Sequence, residues 1–175
     1  MDSETVYLRA LEAEDGQAVF RWHNSADLYG SLGGAFRFVS KQADAEWMRQ
    51  KMQYSTSEVN LAICLTASDE HIGNIYLREI DWIARHGEIH VFIGDADNRG
   101  AGHGRSALRQ MIRHAFDDLG LLRLYLFVLE ENGSAIRSYE SQGFIVEGCL
   151  RNHAHKNGKS KNVLIMGLLR EVPSE

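Results

Sequence analysis

Apolar residues recur along the chain at spacings of two and of three to four, and these spacings predict alternating strands and helices. Thr5 to Ala10 has the composition of a strand, and Glu14 to Asn24 that of a short helix whose apolar surface comes from Val19, Phe20 and Trp22. The pattern then breaks. Ser25 to Val39 holds three glycines and three aromatics with no sustained period, which predicts a loop or a broken helix. Ser40 can cap a second helix in which Ala45, Met48 and Met52 share one face. Val59 to Thr66 and His71 to Ile80 flank the polar turn ASDE and predict an antiparallel hairpin, followed by a third strand at Gly87 to Ile93.

From His103 to Leu119, Leu108, Met111, Ile112, Ala115, Phe116 and Leu119 form the stripe of an amphipathic helix that Gly120 ends. Leu122 to Leu129 is almost continuously apolar, the pattern of a mid-sheet strand covered on both faces. Asn132 can cap a helix carrying Ala135, Ile136 and Tyr139 and closed by Gly143, and a last strand pair brackets Asn157 and Gly158. The strand, turn, helix and strand from Gly87 to Leu129 form a unit that commonly sets two strands parallel, in an otherwise antiparallel sheet. The expectation is one α/β domain, residues 1–175, with no repeat, low-complexity segment or linker.

Charge and composition narrow the partners. With 19 basic against 24 acidic residues and a net charge of -5, the overall field gives no support to nucleic-acid or anionic-membrane binding, and a cationic or neutral polar small molecule is the easier partner. Cys64 and Cys149 lie far apart among apolar neighbours, as reduced, buried thiols do. The start MDSETVYLRA carries no basic and apolar leader, and no apolar run reaches the length of a membrane span, so the expected location is the cytoplasm.

The segment NRGAGHGR, Asn98 to Arg105, is the candidate binding element. Gly100, Gly102 and Gly104 remove side chains where a backbone approaches a ligand, at the head of the amphipathic helix, and Arg99 and Arg105 flank them with charge. Free amides and the positive helix end favour an anion such as a diphosphate. A glycine-rich connection with solvated arginines fits the same spacing. A dinucleotide site fits less well, because Arg105 falls where the Rossmann pattern needs its third glycine.

Arg99, Gly102 and Gly104 match the RxxGxG/A signature of the GNAT acetyltransferases, and NGSAIRSYESQGF, Asn132 to Phe144, resembles that family's second signature. The ending EGCLRNHAHKNGKSKNVLIMGLL is similar to the C-terminal hairpin of its RimJ/RimL-like branch, and the resemblance spans nearly the whole chain. It implies the GNAT fold: a mixed, mostly antiparallel sheet of six to seven strands flanked by about four helices, with a V-shaped split between the two central parallel strands. It implies acetyl-CoA as co-substrate, with no metal. A bulge in the first arm of the V would present backbone groups of Val91, Phe92 and Ile93 to the pantetheine arm and the thioester. The pyrophosphate would meet Arg99, Gly100, Ala101, Gly102, His103, Gly104 and Arg105, and Asn132, Ser134 and Tyr139 would complete the cofactor set. His103 occupies a variable position of the motif and reads as an exposed loop histidine. The resemblance also allows a homodimer.

Acetyl transfer to an amine needs a base, a stabilised oxyanion and a proton for the leaving thiolate. Tyr139 matches the family's usual acid, although its helical spacing also fits a core tyrosine beside Ala135 and Ile136. Glu88, His90 and Phe92 alternate on one face of the strand next to the cofactor. Glu88 is the first candidate base and His90 the second, and a spontaneously deprotonated amine needs neither. Tyr29, Phe36 and Phe38, with Glu88, are the candidate acceptor-binding residues. The segment RWHN and the ending IMGLL resemble acetyltransferases of 4-amino nucleotide sugars, which makes such a sugar the first candidate acceptor, with an N-terminal amine or a polyamine as alternatives. Asp27 is the single acid of Ser25 to Phe38, which speaks against a polyamine. A non-catalytic acyl-CoA sensor on the same fold is a reading of another class.

Overall fold

The computed structural model describes residues 4–171. Seven strands form one sheet in the order β1-β2-β3-β4-β5-β7-β6: β1 Val6–Ala10, β2 Val59–Leu65, β3 His71–Asp81, β4 His86–Ile93, β5 Arg123–Leu129, β6 Ile145–Lys156 and β7 Lys159–Leu169. The β4–β5 pair is parallel and every other pair antiparallel, as the sequence pattern predicts. Five α-helices rather than about four flank it: α1 Gly16–His23, α2 Ala26–Ser31, α3 Lys41–Lys51, α4 His103–Arg113 and α5 Gly133–Glu140. The extra one is α2, a six-residue fragment inside the irregular glycine-rich segment, started by the Ser25 hydroxyl accepting the Leu28 amide at 3.2 Å. Ser40 caps α3 in the same way, by its contact with the Ala43 amide. None of the described helices is long and apolar enough to cross a membrane.

Two cores cover opposite faces of the sheet. Ala107, Leu108 and Met111 of α4 pack with Ile75, Leu77, Leu124 and Leu126, and Ala135, Ile136 and Tyr139 of α5 join them. On the other face Val19 and Trp22 of α1, Leu28 of α2 and Met48 of α3 pack on Ala62, Cys64 and Tyr76. This second layer stops short of β5: Tyr125 and Phe127 stand on that face, and Phe127 is 40 % exposed. The central strand is therefore covered on one face only, against the expectation from its apolar run. Cys149 likewise corrects the expectation of two buried thiols. It is exposed, because β6 is the edge strand, while Cys64 is buried in the second core. β7 lies inside the sheet, between β5 and β6 of its own chain.

Candidate active site

β4 and β5 are hydrogen-bonded neighbours only through His86 with Arg123, Gly87 with Leu124 and Glu88 with Tyr125. Beyond Glu88 the two strands part, each held by its outer neighbour: β4 stays in register with β3 from Glu88 to Ile93, and β5 pairs with β7 along its whole length. The wedge opens into a cleft of about 1010 Å³, lined by Ile89 to Ile93 on one arm and by Phe127, Val128 and Leu129 on the other. The expected bulge in β4 is not there. The irregularity lies on β3 between Arg78 and Asp81, where Glu79 has a φ of 49°. Departure of β5 makes the opening, so β4 needs no extra residue. The Gly94 amide donates to the Ile72 carbonyl at 2.8 Å, so alternation turns the backbone groups of Ile93 and Val91 toward the cleft. The Ile93 carbonyl is already taken by Arg99 Nε at 3.1 Å. The Phe92 ring packs edge-on against Trp22, with centroids 5.8 Å apart.

The glycine turn closes one end of the cleft. Gly100 and Gly102 have φ of 79° and 86°, and nothing stands within 4 Å of a Cβ at either, so glycine serves the left-handed backbone there and not a tight space. The first internal bond of α4 runs from the Ser106 amide to the Gly102 carbonyl at 3.0 Å. The amides of His103, Gly104 and Arg105 precede it and have no acceptor within the helix. These residues, with Asn98 and Gly100, line the cleft, where amides and helix dipole suit an anion. Ala101 is exposed and does not line it. His103 lies 3.3 Å from the Thr5 hydroxyl. Arg99 lines the cleft as well, and its guanidinium donates to the Ile93 and Gly94 carbonyls and to Asp27 at 2.9 Å. The Ile93 carbonyl, on the side that β5 has left, lacks a ladder partner, and Arg99 satisfies it and ties α2 to the strand end.

Across the cleft, Asn132 caps α5 by accepting the Ala135 amide at 3.2 Å and the Ser134 hydroxyl at 3.3 Å, while its Nδ2 donates to the Ser31 carbonyl at 3.2 Å. Both ends of the amide assigned to the pantetheine thus have partners within the protein. Tyr139 lines the cleft one face further along α5, edge-on to Phe144 with centroids 6.0 Å apart. Burial pushes its hydroxyl up to about 12.

His90 faces the cleft and Glu88 does not. Glu88 Oε1 stands 2.8 Å from His90 Nε2, with side chains 14 % and 40 % exposed respectively. The histidine meets the opening and the carboxylate stands behind it. Tyr29 lines the cleft, but Phe36 and Phe38 do not. They continue from it as a row of rings, at 5.9 Å and then 5.1 Å, that ends on Phe38, 89 % exposed. Sequence reasoning missed Tyr76 and Arg78, which border the cleft with His23 and Trp47. Strand pairing carried the signal: Tyr76 is opposite His90 and Arg78 opposite Glu88. The Arg78 guanidinium lies 4.6 Å from the centre of the Tyr76 ring. Arg137 and His153 also line the opening and were not singled out by any motif.

Residues 5–145 match the family model described as acetyltransferase (GNAT) domain. The chain belongs to the GNAT acetyltransferases. Among relatives of this GNAT domain, the spermidine N(1)-acetyltransferase of Escherichia coli K12 is 30% identical over 168 residues, which is 94% of this chain and 86% of the relative. The spermidine N(1)-acetyltransferase of Vibrio cholerae is 33% identical over 99 residues, a match spanning 57% of each protein. A solved spermidine N-acetyltransferase of Vibrio cholerae, in complex with CoA and spermine, superposes with a TM-score of 0.86 at 26% identity, covering 95% of this chain and 96% of that one. Another structure of the Vibrio enzyme is described as dodecameric. The finer likeness is thus to spermidine acetyltransferases and not specifically to a RimJ/RimL branch. The protein is a GNAT-type N-acetyltransferase with acetyl-CoA as its donor.

Proposed function

We propose that this acetyltransferase moves the acetyl group of acetyl-CoA to a primary amine of a polyamine-type acceptor, by direct attack in a ternary complex. One arrangement carries the reading: a single cleft runs from the anion-binding turn, between the parted strands, to His90 and Tyr139. His90, supported by Glu88, takes a proton from the acceptor ammonium. The amine nitrogen then bonds to the thioester carbon, and cleft-facing amides of β4 stabilise the developing oxyanion. As the carbon–sulfur bond breaks, Tyr139 gives its proton to the thiolate. Spermidine is the first acceptor to test because two relatives act on it by name. The motifs that favoured an amino sugar also serve the framework, although His23 borders the cleft. Trp22 lies under Gly94, His23 pairs with Asp44, Asn24 holds Val39, and Gly167 of IMGLL lies under Glu147. We also propose a cytoplasmic location and a homo-oligomeric state.

One observation favours a second reading, an acceptor that also carries an anionic group, as a nucleotide-linked amino sugar does. Arg78 borders the cleft, its Nε is buried without a partner, and the one acid of the nearby segment, Asp27, is paired with Arg99. A fixed cation there disfavours a polycation. Thiol release from acetyl-CoA, measured across spermidine, spermine, nucleotide-linked amino sugars and N-terminal peptides with Tyr139→Phe as control, separates the readings. Turnover is expected with the polyamines. Turnover confined to the anionic acceptors selects the second reading, and cofactor binding without turnover on any amine selects an acyl-CoA sensor.

A further inference from the structure

The glycine-rich segment 25–39 has no strand of its own, yet Tyr29, Ser31, Leu32, Gly33 and Gly34 border the cleft. A segment with so little regular hydrogen bonding keeps one shape only if something outside holds it. Besides Arg99, which holds Asp27, three side chains do so. Asn24 closes the base, donating to the Val39 carbonyl at 3.1 Å and accepting its amide at 3.0 Å. Asn132 donates to the Ser31 carbonyl. From the far end of β6, Lys156 donates through Nζ to the Tyr29 carbonyl at 2.7 Å and to the Gly34 carbonyl. Lys156 is 7% exposed and pairs with no carboxylate of the described residues. Burying an ammonium this way is costly, and burial pushes its pKa down. The Tyr29 carbonyl, in the last turn of α2 and at the negative end of the helix, offsets part of the cost, and the Gly34 carbonyl beyond the helix adds a second acceptor. Asn157 and Gly158, with φ of 50° and 74°, turn the chain immediately after Lys156 and fix its place on the hairpin tip.

We propose that Lys156 is a positioning residue for the acceptor: through it the β6–β7 hairpin sets the place of the Tyr29 to Gly34 wall. The proposal rests on the acetyl-transfer reading of the cleft, and its test has a readout independent of that reading. Full-length Lys156→Met, Lys156→Gln and Lys156→Arg are compared for KM toward spermidine, KM toward acetyl-CoA, kcat, and the rate of tryptic cleavage after the exposed Arg37. Lys156→Met is expected to raise the acceptor KM by about tenfold or more, because small displacements of positioning groups carry large penalties. Its acetyl-CoA KM should move less than about twofold, by the same reasoning. Cleavage at Arg37 accelerates. Lys156→Gln is intermediate, and Lys156→Arg recovers both readouts. An unchanged acceptor KM with unchanged cleavage overturns the proposal, as does an equal rise in both KM values. If the wild-type protein acetylates no amine, the functional reading fails alone, while unaltered cleavage at Arg37 in Lys156→Gln still overturns the clamp.

Discussion

At the scale of single residues, Tyr139 and His90 are the side chains to which the chemistry is assigned by proposal, and Tyr139 also has a structural reason to be where it is. Tyr139 packs beside Ala135 and Ile136 against the main core, so the proposed general acid is also a core tyrosine. With its hydroxyl pushed up to about 12, it stays protonated through the assay range, and the apolar surroundings that raise it also disfavour a free thiolate. Tyr139→Phe should lower kcat by roughly 10²–10⁴-fold, the usual worth of general acid catalysis, with little change in acetyl-CoA affinity or melting temperature. Wild-type activity should show no decline due to Tyr139 below about pH 10, since that lies well under its pKa. A falling limb nearer neutrality that disappears in Tyr139→Phe overturns the assignment. For the base, His90→Gln is expected to lower kcat more than Glu88→Gln, because the histidine meets the cleft and the carboxylate reaches the acceptor only through it. Equal losses, or a larger one for Glu88→Gln, restore the carboxylate to first place.

Elements were legible where a period or a turn residue specified them, and illegible where tertiary packing decided. The α4 stripe, the caps Ser40 and Asn132, and the Asn157-Gly158 hairpin could all be read from the sequence, because each rests on contacts within a few residues. The continuous apolar run of β5 could not reveal that one face lacks a helical layer, nor could Cys149 show that β6 is an edge. The motif position of Arg99 is local and legible, whereas one of its acceptors, the Ile93 carbonyl, is freed only by the parting of β4 and β5. Tyr76 and Arg78 stayed hidden because register, not spacing, brings them opposite His90 and Glu88. For the turn itself, the left-handed Gly102 makes a sharp expectation. Gly102→Ala has room for the methyl group but forces φ of 86°, at a cost of about 1–2 kcal/mol. Calorimetry should show acetyl-CoA binding weakened by roughly tenfold, the equivalent of 1.4 kcal/mol. Ala101→Gly, at an exposed position off the cleft, should leave it unchanged.

At the scale of the whole molecule, the arms of the cleft belong to one sheet, and its N-terminal edge strand adds a buried fastening to its pairing with β2. Asp15 is that fastening. It is 4% exposed, accepts both guanidinium nitrogens of Arg9 on β1 at 2.7 Å and the Glu12 amide at 2.9 Å, and lies 3.1 Å from His71 Nδ1 on β3. Burial alone would raise its pKa. The Arg9 hydrogen bonds, the Glu12 amide and the nearby His71 outweigh burial and hold the carboxyl below its ordinary value. A carboxyl depressed in the folded state contributes its full stability above the unfolded pKa, and that contribution is lost as pH falls through the folded value. Removing one partner of a buried pair costs about 3–5 kcal/mol, which for a chain of this size corresponds to roughly 6–20 °C. Thermal melts of wild type and Asp15→Asn should therefore differ by that amount at neutral pH and begin to converge only as pH falls from about 4, the ordinary carboxyl pKa, toward the depressed folded value. Parallel curves down to acid pH would show that Asp15 is not the group whose protonation loosens β1.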